Sequence, residues 1–147
     1  MRSFRVLIPA LALAASALRA TPAAAQADGY LLIVNQTNPV TSLSRQQASD
    51  IFMKQLRQWE HGGDIHPVDL PAVSPVRDAF SRAVHGKPSS AVASWWGQQM
   101  FSGRAVPPPQ RTTDRAVNAF VREDGLAIGY VSPGTAEAGV KVVRITP

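Results

Sequence analysis

Residues 65–86, IHPVDLPAVSPVRDAFSRAVHG, predict a short strand, a loop and an amphipathic helix in succession. Pro67, inside the strand, favours an edge position or the start of a strand. Ser74 is placed to cap a helix that begins at Pro75, where the missing N–H costs nothing. Apolar residues then recur at helical spacing until Gly86 ends the helix. A strand that leads into a helix in this way is the repeating unit of an α/β domain.

Further strands and helices are predicted on both sides of this unit. Continuous apolar runs at Tyr30–Val34 and Leu126–Val131 predict strands that are covered on both faces. The other predicted elements are a helix opened by Ser42–Ser44 with Ser44 as N-cap and Gln47 in a capping box, helices at Ser90–Phe101 and Thr113–Arg122, and a last, edge strand at Val140–Ile145. The order β-α-β-α-α-α-β-β predicts one three-layer α/β sandwich with a mainly parallel sheet.

The first 27 residues have the parts of a secretory signal peptide. A basic start precedes the apolar run Val6–Leu18, whose 13 residues are fewer than the roughly 20 that cross a bilayer as a helix. Small residues allow cleavage after Ala25 or after Ala27. We therefore expect residues 28–147 to be exported to a periplasm without a membrane span. The alternative is an uncleaved anchor.

Removing that segment changes the charge balance. It contains Arg2, Arg5 and Arg19 and no acidic residue, so the formal net charge falls from +5 to +2, with 12 basic and 10 acidic side chains left. Such a balanced surface attracts phosphate backbones weakly, and we expect no nucleic-acid partner. The lack of cysteine in the sequence excludes disulfides, thiolate metal sites and cysteine nucleophiles.

The sequence motifs of common enzymes are missing. The chain contains no Walker loop, no G-x-G-x-x-G and no G-x-S-x-G. His61 and His66 fit no metal-ligand spacing, and Asp64, Asp69 and Asp78 fall on a predicted turn, strand and helix face. We expect no catalytic residues, no metal and no cofactor. A hydrolase that uses Asp69 or His66 is the remaining enzyme alternative.

Three loops follow predicted strands, and in a parallel sheet they would meet at the end where α/β folds bind ligands. They contribute Asn35 and Thr37, then Ser74 and Arg77, and finally Ser132. Ser74 offers a hydroxyl beside free N–H groups at a helix start, and Arg77 adds a guanidinium one turn later. These five residues form the candidate anion-binding site.

A plainer interpretation of the same residues stays open. Ser74 would only cap its helix, and Arg77 would only pair with a nearby acid. Trp95 and Trp96, which are adjacent in the third predicted helix, either offer a platform for a sugar or place at least one indole in the core.

Three segments, in this order, resemble the phosphate ABC transporter substrate-binding proteins. They are Ser42–Phe52 followed by Trp59, then Val68–Phe80, and finally Glu123–Val131. The resemblance extends over about residues 29–145. It implies one lobe of a type II periplasmic binding protein, in which Ser74 would correspond to the serine that binds phosphate at a helix start.

Two departures from the family shape the expected function. The family has Gly-Thr after that serine, where this chain has Pro75 and Val76, and about 120 residues build one lobe instead of two. We therefore expect an exported, non-enzymatic binding protein with weak affinity for phosphate or a related small anion. The alternative is a ligand-free module that contacts an envelope protein through the Trp95–Trp96 helix or through an edge strand at residues 140–145.

Overall fold

The computed structural model describes residues 28–147, so the predicted signal peptide lies outside the described residues. The strands and helices are β1 Leu31–Asn35, β2 Ser42–Ser44, α1 Arg45–Phe52, β3 His66–Pro67, α2 Pro75–Phe80 with a π-helical continuation Ser81–His85, α3 Ser89–Phe101, α4 Asp114–Glu123, β4 Ala127–Val131 and β5 Val140–Thr146. None of the helices in this part of the chain is long and apolar enough to cross a bilayer.

Within residues 28–147, five strands form one mixed sheet in the order β2-β5-β1-β4-β3. β1 runs antiparallel to both β4 and β5, whereas β2 is parallel to β5 and β3 is parallel to β4. The α/β class is confirmed, but the expectation of a mainly parallel sheet is wrong. An apolar run indicates that both faces of a strand are covered, and it carries no information on strand direction.

Helices cover both faces of the sheet, which gives the predicted three layers. α4 packs on β4 and β1 from one side, while α1 and α2 pack from the other. Gly129 in β4 permits the approach on the α4 side. A Cβ at this position would lie 2.8 Å from Cγ1 of Val117 and 2.8 Å from Cγ1 of Val68. The glycine therefore serves helix–sheet contact rather than a turn.

An aromatic cluster fills the other side of the sheet. The Tyr130 ring stacks on Phe80 with centroids 4.1 Å apart and planes 8° apart, and Phe52 packs against both rings. Tyr30 meets Phe80 edge-on at 5.3 Å. Because residues alternate sides along a strand, Tyr130 faces α1 and α2 while Gly129 faces α4. Rings of this size dominate the apolar area that such a core buries.

Two predicted boundaries need correction. Ser42–Ser44 was expected to open a helix, but it forms β2, and only Ser44 acts as the N-cap, with the predicted capping box to Gln47. β2 pairs with β5, so β5 lies inside the sheet instead of at its edge. A strand of three residues is too short to show a period in sequence.

Candidate functional site

The loop before α2 is built as the sequence predicts. Ser74 has extended backbone angles, and its Oγ accepts a hydrogen bond from the Arg77 N–H at 3.4 Å. Pro75 is the first helical residue, and Gly86 ends the π-helical continuation with a φ of 68°. This distance is long for an N–H···O hydrogen bond, so the Ser74 hydroxyl binds its own helix only weakly.

The Arg77 side chain is buried and bound within the protein. Its Nη1 donates to the Leu70 carbonyl at 2.7 Å, and its Nη2 lies 3.1 Å from Oδ2 of Asp69. Asp69 is buried too, so its carboxylate compensates the guanidinium charge away from water. Of the two interpretations left open by the sequence, pairing with a nearby acid is the contact that Arg77 makes.

Tyr130 completes this buried network from the sheet. Its hydroxyl donates to Oδ1 of Asp69, and the Leu70 N–H donates to the same oxygen at 2.9 Å. Burial raises the pKa of Asp69, against the opposing effects of Arg77 and of these hydrogen bonds. Burial and the neighbouring Asp69 raise the pKa of Tyr130 well above 10, which keeps its hydroxyl a donor.

Sequence reasoning missed Asp69 as the partner of Arg77 and Tyr130 as the partner of Asp69. A signal was present, because Asp69 interrupts the apolar stretch Val68–Leu70, and a buried carboxylate requires a donor or a cation.

Asn35 and Thr37 form a separate structural motif. The buried Asn35 amide donates to the carbonyls of Val121 and Arg122, both at 2.9 Å, near the end of α4. Its Oδ1 accepts from the Thr37 N–H at 2.9 Å and from the Thr37 hydroxyl at 2.8 Å. These contacts tie the end of β1 to the end of α4.

The five predicted site residues do not meet. Leu31 pairs with Val131 and Val34 pairs with Ile128, so Asn35 and Thr37 lie at the end of the sheet where β4 begins. Ser132 follows β4 at the opposite end. The loop with Ser74 lies at that end too, because β3 is parallel to β4. The expectation that the three loops share one end is wrong, since it required β1 to be parallel to β4.

The histidines and acids form no compact centre. Oδ2 of Asp124 lies 2.6 Å from Nδ1 of the exposed His66, whereas the buried Asp69 binds Arg77 and Tyr130 instead. Within residues 28–147, no group of three His, Asp or Glu side chains is arranged to hold a metal ion. Three surface cavities of about 670, 900 and 550 Å³ lie around α1, and none of the three is lined by any of the five residues predicted for the anion site.

Comparison with known proteins identifies solved structures with a similar fold. No protein-family model and no curated protein matches the chain. Solved structures do match. A phosphate ABC transporter substrate-binding protein from Clostridium perfringens with bound phosphate is 26% identical, with a TM-score of 0.62, and the match covers 80% of this chain and 44% of that one.

Two further receptors give the same result. An ABC-type phosphate transport receptor from Vibrio cholerae is 22% identical with a TM-score of 0.58, and PstS from Borrelia burgdorferi is 13% identical with a TM-score of 0.58. The matches cover 80% of this chain but 46% and 47% of those receptors, so the chain spans less than half of their length. The resemblance predicted from sequence is confirmed at the level of the fold: the chain is built like one lobe of the phosphate ABC transporter substrate-binding proteins.

Proposed function

We propose that this chain is an exported, non-enzymatic binding protein that takes phosphate or a related small anion in the loop before α2. The observation that carries the proposal is the shared fold with phosphate-binding receptors, one of which holds phosphate. Ser74 in that loop retains a hydroxyl whose only described bond is the long one to Arg77 N–H. The structures it resembles belong to transport receptors rather than enzymes, which supports the non-enzymatic role.

The same geometry argues for weak affinity. The Arg77 charge is already compensated by Asp69, and Pro75 offers no N–H to an anion. A single lobe leaves the anion in contact with water, where charge contacts contribute little. We expect a dissociation constant of about 1 mM, equivalent to about −4 kcal/mol. Asn35 and Thr37 are not part of the proposed site, because they lie at the other end of the sheet, whereas Ser132 lies at the same end.

Calorimetric titration with phosphate at low ionic strength, with sulfate as a competitor of similar shape, tests the proposal. We expect saturable heat with phosphate that is lost in Ser74→Ala. Ser90→Ala, an exposed serine in the first turn of α3, is the matched control and should bind as the parent does. No saturable heat up to tens of millimolar, or unchanged binding in Ser74→Ala, would refute the anion site.

Export is tested separately. A reporter enzyme active only outside the cytoplasm, fused after Pro147, should be active with the full chain and inactive when residues 1–27 are deleted. Activity of the shortened fusion would contradict a signal peptide in those residues.

A ligand-free interaction module is the second candidate. The compensated Arg77 favours it, and so do Met100 and Phe101 at the end of α3, which are 50% and 98% exposed. β1 pairs with Val140–Val143 and β2 pairs with Arg144–Thr146, so an edge-strand contact in residues 140–145 would be confined to the side of Val140–Val143 that faces away from β1. Phe101→Ala should then abolish capture of a specific envelope protein while Ser74→Ala leaves it unchanged. Unchanged capture in Phe101→Ala, together with loss of phosphate binding in Ser74→Ala, would support the anion-binding proposal.

A further inference from the structure

A cavity separate from the loop of Ser74 opens between α1 and α3. Its volume is about 550 Å³, within the range of about 300 to 1,000 Å³ that is typical of small-molecule sites. Ser49 and Asp50 line it from α1, Trp95 and Gln98 line it from α3, and Lys87, just before α3, lines it as well. Its shape therefore depends on how α3 is held.

α3 is fixed to the rest of the protein at its first residue. Oδ1 of Asp78 on α2 accepts from the Ser89 N–H at 2.9 Å and from the Ser89 hydroxyl at 3.2 Å. The single hydroxyl hydrogen of Ser89 is shared with the Ala72 carbonyl, which at 2.8 Å is the nearer of its two acceptors. The wall that carries Trp95 is thus attached through Ser89 to Asp78 on α2 and to the loop before α2.

The two tryptophans of α3 differ in burial. Trp96 is buried, with 3% of its surface exposed, whereas Trp95 is only partly buried and lines the cavity. The Trp95 ring meets Trp96 edge-on, with centroids 4.7 Å apart and planes at 76°. This contact fixes the orientation of the Trp95 indole and leaves an ordered aromatic surface at the cavity wall.

The rest of the lining combines apolar side chains, namely Met53, Ala91 and Val92, with polar ones, and its charges balance. One carboxylate, Asp50, is balanced by one ammonium, Lys87. His85 also lines the cavity, with Nδ1 2.8 Å from Oγ of Ser49, and burial followed by the charges of Arg77 and Lys87 lowers its pKa to about 4, so it is neutral near pH 7. Such a lining offers hydroxyl, amide and carboxylate groups without a surplus charge that would select an anion.

We infer that this cavity binds a neutral saccharide, with one sugar ring packed on Trp95 and its hydroxyl groups on Asp50 and Gln98. A pyranose has an apolar C–H face and a rim of hydroxyls that donate and accept hydrogen bonds. The apolar face fits an ordered indole, and the rim fits carboxylate and amide side chains. This site is independent of the anion loop, since Ser74 does not line it.

The test is titration of the protein, expressed as the full chain, with cellobiose, maltose and N,N′-diacetylchitobiose, followed by tryptophan fluorescence and calorimetry. At least one disaccharide should give saturable binding in the millimolar range. Trp95→Ala should weaken it by about tenfold or more, equivalent to about 1.4 kcal/mol. Asp50→Asn should also weaken it, and Phe101→Ala, on α3 but outside the cavity, should leave it unchanged.

Folding and the anion site are controlled in the same series. Far-UV circular dichroism checks each variant, and Gln98→Ala, which alters an exposed side chain, gives the same test if Trp95→Ala does not fold. Phosphate titration of the variants should match the parent, which separates this site from the loop of Ser74. No saturable response to any of the three sugars up to tens of millimolar, or parental affinity in the folded cavity variants, overturns the inference.

Discussion

At the level of single residues, Arg77 and Asp69 hold the loop before α2 in place. Both are buried, with Nη2 of Arg77 3.1 Å from Oδ2 of Asp69. Removing one partner leaves the other buried and uncompensated, a change that costs about 3 to 5 kcal/mol. We expect Arg77→Met and Asp69→Asn each to lower the free energy of unfolding in urea by amounts of this order.

The double variant separates the pair from the rest of the core. Arg77→Met with Asp69→Asn removes both charges, so the loss should be clearly smaller than the sum of the single losses. Strict additivity, or single losses below about 1 kcal/mol, would mean that the ion pair does not stabilise the fold as the geometry indicates.

His85 makes stability depend on pH. Burial, followed by the charges of Arg77 and Lys87, lowers its folded pKa to about 4, against about 6.5 in the unfolded chain. Between these two pH values the unfolded state binds more protons than the folded state. The contribution of neutral His85 to the free energy of unfolding is therefore complete above pH 6.5 and is lost as the pH falls towards 4. The loss reaches about 3 kcal/mol.

Urea unfolding at pH 7 and at pH 4.5 measures this effect. His85→Gln should reduce the difference between the two free energies of unfolding, while His61→Gln, which alters an exposed ring stacked on Trp59, should retain the parental difference. An unchanged difference in His85→Gln would assign the pH dependence to other groups.

The residues of the candidate site were predictable only where their role is local. Ser74, Pro75 and Gly86 mark the start and end of one helix, and the structure has each of them in that role. The burial of Arg77 depends on Asp69 and Tyr130, the latter 53 positions away in the sequence. No spacing rule joins Tyr130 to Asp69, so this part of the network was found only in the folded chain.

At the level of elements, the contact of α4 with β4 depends on Gly129. A Cβ there would lie 2.8 Å from two valine side chains that belong to the core. Overpacking of this kind costs about 1 to 3 kcal/mol, and we expect Gly129→Ala to lower the midpoint of urea unfolding accordingly. Gly97→Ala in α3 is the control, because nothing lies within 4 Å of the added atom, and it should be neutral or stabilise the helix by up to about 1 kcal/mol. Equal effects of the two changes would contradict close packing at Gly129.

Element types followed from the sequence more readily than their arrangement. β1 and β4 were predicted as strands from their apolar residues, α2 from its cap and periodicity, and α4 from its periodicity. The sequence predicts that three loops lie together at one end of the sheet. Because β1 pairs antiparallel with β4, the loop after β1 lies at the opposite end, and Asn35 is separated from Ser132. Strand direction is decided by the crossing connections of the whole chain, which local residue patterns do not contain.

At the level of the whole molecule, one question is whether α3 unfolds with the rest. The main core draws on residues from Tyr30 to Val143, whereas the buried Val92 and Trp96 of α3 lie outside that cluster. The hydrogen bonds between Asp78 and Ser89 couple the start of α3 to α2 and so oppose independent unfolding of α3. We therefore expect a single cooperative transition.

Tryptophan fluorescence can measure whether α3 unfolds together with the rest of the protein. In Trp59→Phe the fluorescence reports only Trp95 and Trp96 on α3, while far-UV circular dichroism follows the whole chain. The two urea midpoints should coincide in this variant and separate when Asp78→Ala removes the coupling, with the fluorescence changing first. Arg82→Ala, which breaks only the exposed Asp78–Arg82 pair, should keep them coincident, because exposed pairs contribute little. Separate midpoints before any change at Asp78 would show that α3, and with it the cavity wall that carries Trp95, is a weaker unit than its hydrogen bonds imply.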